Sequence, residues 1–168
     1  NSITLVGAAE PTPEPTPEPT PTPDPVELKV NYNATIVNNE DGSATVTYSA
    51  QYGEVIYTVP SGINAEDITS VTLNVTSANN FAFKVCDKDG TVYDRGYGAT
   101  AYINDPTGEA VDYTYDVDNG ISDIHIMSNY DGIMELTVNS ISLIVSETEP
   151  TPEPTPPVEP INYDISVN

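Results

Sequence analysis

This 168-residue chain has no tryptophan, one cysteine, one histidine and four basic residues. Cys86 alone cannot form an internal disulfide, so the fold has to rest on its core. It stands in the apolar run Phe83-Lys84-Val85-Cys86 and reads as a small buried side chain. A nucleophilic cysteine or serine needs a base beside it, and His125 has no preferred serine or cysteine to serve. Lys29, Lys84, Lys88 and Arg95 stand against 26 acidic residues, for a net charge of −22. No phosphate-tracking surface can be built from that balance, which excludes nucleic acid and anionic membrane as expected partners. No run approaches the ~18–20 apolar residues that span a bilayer, so no membrane insertion is expected.

What is plentiful is proline, acid and tyrosine. Of 16 prolines, all but Pro60 and Pro106 lie in residues 11–25 (PTPEPTPEPTPTPDP) and 150–160. Alternating proline removes backbone donors and fixes φ near that of polyproline II, so helix and sheet are both blocked. Acidic side chains keep such a segment extended and soluble, with no apolar face to bury. The expected organisation is a disordered acidic Pro-Thr linker at 1–25, one folded module at 26–147 and a second linker at 148–160. Residues 161–168 would begin a next module or a tail. The chain starts at Asn1 with no basic stretch before Ile3 to Val6, which a processed signal or a cut would both produce.

The module alternates with period two. Val71, Leu73 and Val75 share a face, as do Phe81, Phe83 and Val85, then Val111, Tyr113, Tyr115 and Val117, then Ile124 and Ile126. Leu136, Val138, Ile141, Leu143 and Val145 form a last strand whose phase slips at Asn139-Ser140, which predicts a bulge. Turn signals separate these runs: Asn38 to Gly42, Lys88-Asp89-Gly90, Asp105 to Gly108, Asp118-Asn119-Gly120 and Asp131-Gly132. Ile63 to Ile68 predicts one short helical turn capped by Asn64. No crossover helices exist for a parallel sheet. The expected fold is all-β: a two-sheet antiparallel β-sandwich of the jelly-roll or galactose-binding type, with nine or ten strands. Its expected core includes Leu73, Val75, Phe81, Phe83, Val85, Ile124, Ile126, Leu136, Val138 and Leu143.

Catalysis finds no support. A glycosidase needs two carboxylates facing across a cleft, one with a raised pKa, and nothing singles out such a pair. No catalytic residue is assigned, and this fragment is not expected to be an enzyme. Asp87-Lys88-Asp89-Gly90 begins like an EF-hand loop, but its twelfth position is Gly98 and its glycine comes too early, so it reads as a β-turn. Metal ligands stay unassigned; scattered oxygen donors leave a calcium site open.

Eleven tyrosines carry the aromatic content beside two phenylalanines. Tyr48, Tyr113 and Tyr115 share faces with aliphatics and read as core. Tyr52, Tyr97, Tyr102 and Tyr130 instead stand beside glycine, asparagine or turns: Gln51-Tyr52-Gly53, Gly96-Tyr97-Gly98, Tyr102-Ile103-Asn104, Asn129-Tyr130-Asp131. Such rings either stack on a pyranose, whose hydroxyls then bond to amides and carboxylates, or anchor loops through their own hydroxyls. The stacking candidates are Tyr52, Tyr97, Tyr102 and Tyr130, with Asn104, His125, Asn129 and Asp131 as hydrogen-bonding partners. His125 and Met127 fall on the strand face opposite the core.

Three segments carry a family resemblance. GEVIYTVPSGINAEDITSVTLNV at 53–75 resembles the opening of carbohydrate-binding modules of families 4, 9, 16 and 22. FAFKVCDKDGTVYD at 81–94 is similar to their paired central strands, and ELTVNSISLIV at 135–145 to their closing strand. The likeness spans most of the module and is one of pattern. It implies a monomeric, non-catalytic module that targets a secreted or bacterial cell-surface enzyme, such as an endo-1,4-β-xylanase, to a β-1,4-linked plant polysaccharide. Xylan comes first, with mixed-linkage β-glucan or mannan next. It also implies a possible structural calcium, although Asn139-Ser140 stand where those modules often carry an acidic pair. Where family 22 alternates an aromatic and a glutamate, this chain has His125 and Met127. The rival reading is a structural spacer or adhesin-type sandwich of a surface protein.

Overall fold

The computed structural model describes residues 25–146. The linkers expected at 1–25 and 148–160 and the segment 161–168 lie outside the described residues, Pro25 apart. Ten strands follow in order: β1 (Leu28–Tyr32), β2 (Ala34–Asn38), β3 (Ala44–Tyr48), β4 (Glu54–Thr58), β5 (Ile68–Ser77), β6 (Phe81–Cys86), β7 (Ala101–Ile103), β8 (Ala110–Asp116), β9 (Asp123–Ser128) and β10 (Met134–Val145). They form two five-stranded sheets, ordered β1-β4-β9-β6-β7 and β2-β3-β10-β5-β8, with every pairing antiparallel. The protein is an all-β sandwich. The one helical piece among the described residues is a 3-10 turn at Ala65–Asp67. Asn64 precedes it as expected but caps no backbone amide; its side-chain nitrogen donates to the Asp67 and Glu66 carboxylates instead.

Period-two alternation becomes burial because each sheet hides one face against the other. Val46, Tyr48, Leu73, Val75, Leu136 and Val138 meet Val55, Phe81, Phe83, Val85, Ile124 and Ile126, all of them buried. Aromatic rings bridge the layers: Phe81 and Phe83 pack edge-on at 5.1 Å, and Tyr113 of β8 lies 5.8 and 5.5 Å from them. Tyr48 crosses the core to donate its hydroxyl to the Ile126 carbonyl at 2.9 Å, and burial, then the charge of Glu54, push that hydroxyl's pKa far up. Among the described residues no buried side-chain nitrogen or oxygen lacks a partner.

One core expectation changes: Leu143 is half-buried, packed against the core at a cleft it shares with Val26, Tyr57 and Ile63. The bulge itself is present, with the β10–β5 register shifting between Val138 and Ser140. The Asp87 turn is a turn: its carboxylate accepts the Asp89 and Thr91 amides at 2.9 and 2.8 Å.

Candidate functional site

The outer face of the first sheet carries the unusual chemistry. Register places Glu54 of β4 opposite Met127 of β9, which is opposite Ala82 of β6, which is opposite Tyr102 of β7. One step along, His125 lies between Ile56 and Lys84; a further step brings Asp123 beside Thr58 and Cys86. These are the outward positions of strands whose inward positions are core, so the alternation that builds the sandwich also aligns this row.

Loops at one end of that face raise aromatic walls. In the β3–β4 connection Tyr52 takes a left-handed φ of 62°, donates its amide to the Ser128 carbonyl at 3.0 Å, and leaves its ring 63% exposed. Gly53 after it must be glycine, because a Cβ there would meet Tyr48 Cδ1 at 2.7 Å and the Asn33 carbonyl at 2.8 Å. Tyr97 also has a left-handed φ, 56°, and is 98% exposed. The Asp94 carboxylate holds its loop by accepting the Gly96 and Gly98 amides at 2.7 and 3.1 Å, and Tyr102 donates its hydroxyl to the Tyr97 carbonyl at 3.1 Å. A left-handed non-glycine residue costs on the order of 1–2 kcal/mol, and two such tyrosines face one depression. Asn80 ties the neighbouring loops, accepting the Asp105 amide on its side chain at 2.8 Å and the Asn129 amide on its carbonyl at 3.1 Å.

Between these walls runs an open groove. One part, of about 590 Å³, is lined by Tyr32, Tyr52, Tyr97 and Tyr102 above a floor of Asn31, Glu54, Lys84 and Met127. The adjoining part, of about 430 Å³, shares Tyr52, Tyr97 and Tyr102 and adds Asn104 and Asn129. A separate cleft of about 510 Å³ has mostly aliphatic walls, Val26, Ile63, Ile141 and Leu143 among them. Its polar lining is Glu27 and Thr58, and it has no exposed ring to stack on, since its one aromatic, Tyr57, is buried.

The floor is charged and internally satisfied. Glu54 accepts from Asn31 Nδ2, from Lys84 Nζ at 3.3 Å and from His125 Nδ1 at 2.9 Å. Burial, the largest influence, pushes the Glu54 carboxyl up, but the Asn31 and His125 hydrogen bonds and the His125 and Lys84 charges together hold it below the usual range. His125 Nε2 reaches Asp123 Oδ1 at 2.7 Å. Burial, then the hydrogen bond and charge of Asp123, push the Cys86 thiol up to about 12, which disfavours its thiolate in the metal-free protein.

The structure therefore gathers Tyr52, Tyr97, Tyr102, Asn104 and Asn129 at one groove. His125 lies on the same sheet face, behind the Glu54 floor, and lines neither part. Tyr130 and Asp131 follow in the β9–β10 turn outside both parts, where the Tyr130 ring folds over Gly132. Tyr32, Asn31, Glu54, Lys84 and Met127 join the lining. Tyr32 had a legible signal, since Asn31-Tyr32-Asn33 repeats the tyrosine-beside-amide context of the others. Glu54 and Lys84 had none: outward charges on strands are ordinary. At the bulge, where a calcium was considered, Asn139 donates to Asn74 Oδ1 and Thr76 Oγ1 at 2.7 and 2.9 Å, and no cluster of carboxylates assembles among the described residues.

No protein-family model matches this chain, and no curated protein matches it in sequence. Solved structures do match. A point mutant of CBM29-2, a family 29 carbohydrate-binding module, complexed with cellulohexaose is 16% identical over 69% of this chain and 80% of its own, with a TM-score of 0.51. A second point mutant of the same module, complexed with mannohexaose, is 14% identical over 69% and 80%, with a TM-score of 0.51. The low-affinity xylan-binding module CBM86 from Roseburia intestinalis is 24% identical over 70% and 89%, with a TM-score of 0.43. The chain has the β-sandwich fold of the family 29 modules. At 14–16% identity that likeness concerns the fold alone.

Proposed function

We propose that this domain is a non-catalytic carbohydrate-binding module whose groove takes a neutral β-1,4-linked polysaccharide. The observation that carries the reading is that four exposed tyrosines, Tyr32, Tyr52, Tyr97 and Tyr102, surround one groove that also holds Asn31, Asn104 and Asn129. Rings supply apolar faces for pyranose C–H groups, and amides supply both donors and acceptors for hydroxyls. An open groove suits an internal stretch of a chain better than a chain end. The family 29 modules of the same fold, crystallised with cellulohexaose and mannohexaose, support the ligand class.

A binding role fits the floor better than hydrolysis does. The groove is lined by a single carboxylate, Glu54, which is already paired and held in its ionised form, so the second carboxylate of a glycosidase pair is missing from the lining. Xylan stays the first candidate through the resemblance to modules of xylan-degrading enzymes, with mixed-linkage β-glucan and mannan next. The acidic Pro-Thr segments support a place in a longer secreted or cell-surface protein, with a glycoside hydrolase as its catalytic part. Affinity electrophoresis in soluble xylan, β-glucan and mannan gels tests the class: retardation in at least one gel is expected. Unretarded migration in all three would favour the spacer or adhesin reading. Calcium enters as a chelator arm of the same experiment, since a structural ion would make retardation chelator-sensitive.

A further inference from the structure

We propose that Cys86, Asp123 and His125 form a binding site for a divalent transition-metal ion, zinc being the best fit, at the end of the first sheet away from the tyrosine groove. One ligand atom from each, the Cys86 sulfur, a carboxylate oxygen of Asp123 and a His125 ring nitrogen, lies within 4.8 Å of the other two. The backbone sets this up: Cys86 and Asp123 are direct cross-strand partners, and His125 follows Asp123 by two residues on the same face. A tetrahedral zinc with ordinary bond lengths spaces its ligand atoms by about 3.3–3.7 Å, so an ion needs rotamer adjustment and no backbone rearrangement.

The donor set decides the kind of metal. A thiolate, an imidazole and one carboxylate suit zinc and its neighbours, whereas calcium wants six or more oxygens. The orientation of His125 fits as well. Its Nδ1 faces Glu54 Oε1 at 2.9 Å, which leaves Nε2 directed at Asp123. Metal-bound histidines commonly donate their other ring N–H to such a carboxylate, which fixes the tautomer. Asp123 keeps its second oxygen on the Ser122 hydroxyl at 2.7 Å. On binding, the S–H bond of Cys86 and any Nε2–H bond of His125 break, both protons leave to solvent, and metal–sulfur and metal–nitrogen bonds form. One thiolate and one carboxylate then neutralise the divalent charge. Asp123 and His125 are partly open to solvent, which gives the ion an entry path and leaves a fourth position for water.

The test is cobalt(II) titration of the untagged 168-residue chain, followed by zinc competition. A saturable one-to-one complex is expected, with a thiolate-to-cobalt charge-transfer band in the near ultraviolet and the intense visible bands of a four-coordinate ion, both lost when zinc is added. Cys86→Ser should abolish the charge-transfer band. Asp123→Asn, at a more exposed position, should weaken cobalt binding while the fold, checked by circular dichroism, persists. Glu54→Gln should weaken it by about 10–100-fold with the charge-transfer band retained. Absence of a charge-transfer band from the folded wild-type chain would overturn the proposal. So would a band that survives Cys86→Ser, or cobalt affinity unchanged in folded Asp123→Asn.

Discussion

The two sheets bury equivalent inner faces and present opposite outer ones. Outside the second sheet, hydroxyls and amides satisfy one another: Thr72 meets Thr114 at 2.9 Å, Asn74 donates to Asp112 at 2.6 Å, and Asn139 donates to Asn74 and Thr76. Across β8, β5 and β10 that face is a polar ladder with no exposed aromatic ring. Outside the first sheet, loops lift tyrosine rings clear of the surface at strained backbone positions, and the polar groups below are charged. A face whose groups bond to each other is cheap to solvate and needs no ligand. A face that holds rings in solvent retains an apolar surface that a ligand can cover, and on the proposed function that face is the binding side of the sandwich.

The largest expected effect leaves that comparison intact, because it removes what both faces share. Leu136 lies fully in the core, and Leu136→Ala should cost ~2–5 kcal/mol in chemical denaturation. Half-buried Leu143 should cost clearly less on truncation, about 1–2 kcal/mol. Equal losses would mean that the end of β10 is packed more tightly than its exposure indicates.

Next come the rings. Tyr97→Ala and Tyr52→Ala should each weaken oligosaccharide binding by about 5–150-fold, if stacking on sugar matches base stacking in size, at ~1–3 kcal/mol. Neither should lower the melting temperature, since both residues are largely exposed and each substitution removes little packing. Tyr52→Gly should remove the left-handed strain and hold or slightly raise stability while binding falls. Tyr102→Ala should affect both readouts, because its hydroxyl anchors the Tyr97 loop. A drop in melting temperature with unchanged affinity for all three would make the rings loop anchors.

A smaller effect sharpens the contrast through pH. Glu54 has a lowered folded-state pKa, so its stabilisation is present above the ordinary carboxylate range and is lost as pH falls through the lowered value. In metal-free protein, Glu54→Gln should therefore cost stability at neutral pH, and its gap from wild type should close in acid. Thr72→Ala on the ladder face should show no such pH dependence and should cost under about 1 kcal/mol, without any change in affinity.

Strand alternation made most of the fold legible: the aliphatic positions of β5, β6 and β9, the bulge at Asn139-Ser140 and the glycine turns need only local periodicity. Tyr97 was legible too, since a tyrosine between two glycines has no strand to pack into. The Glu54–Lys84–His125 row was not. It exists only because β4, β6 and β9 are neighbours in the sheet, an order set by tertiary packing of strands far apart in sequence. Leu143 was misplaced for a related reason, since alternation tells which way a residue points and not how fully it is covered. Tyr130 shares its amide-rich context with Tyr52 yet lies outside the groove, because only the path of the β9–β10 turn decides where its ring goes.

The central claim is that the tyrosine-walled face binds a neutral β-1,4-linked glycan and the ladder face does not. Isothermal titration calorimetry with xylohexaose, cellohexaose and mannohexaose tests it most directly, using wild type, a Tyr52→Ala/Tyr97→Ala double variant and a Thr72→Ala/Thr114→Ala double variant. Saturable binding of at least one sugar by wild type, kept by the threonine variant and lost by the tyrosine variant, is the predicted result. Absence of binding to all three sugars, or equal affinity in all three proteins, would contradict it.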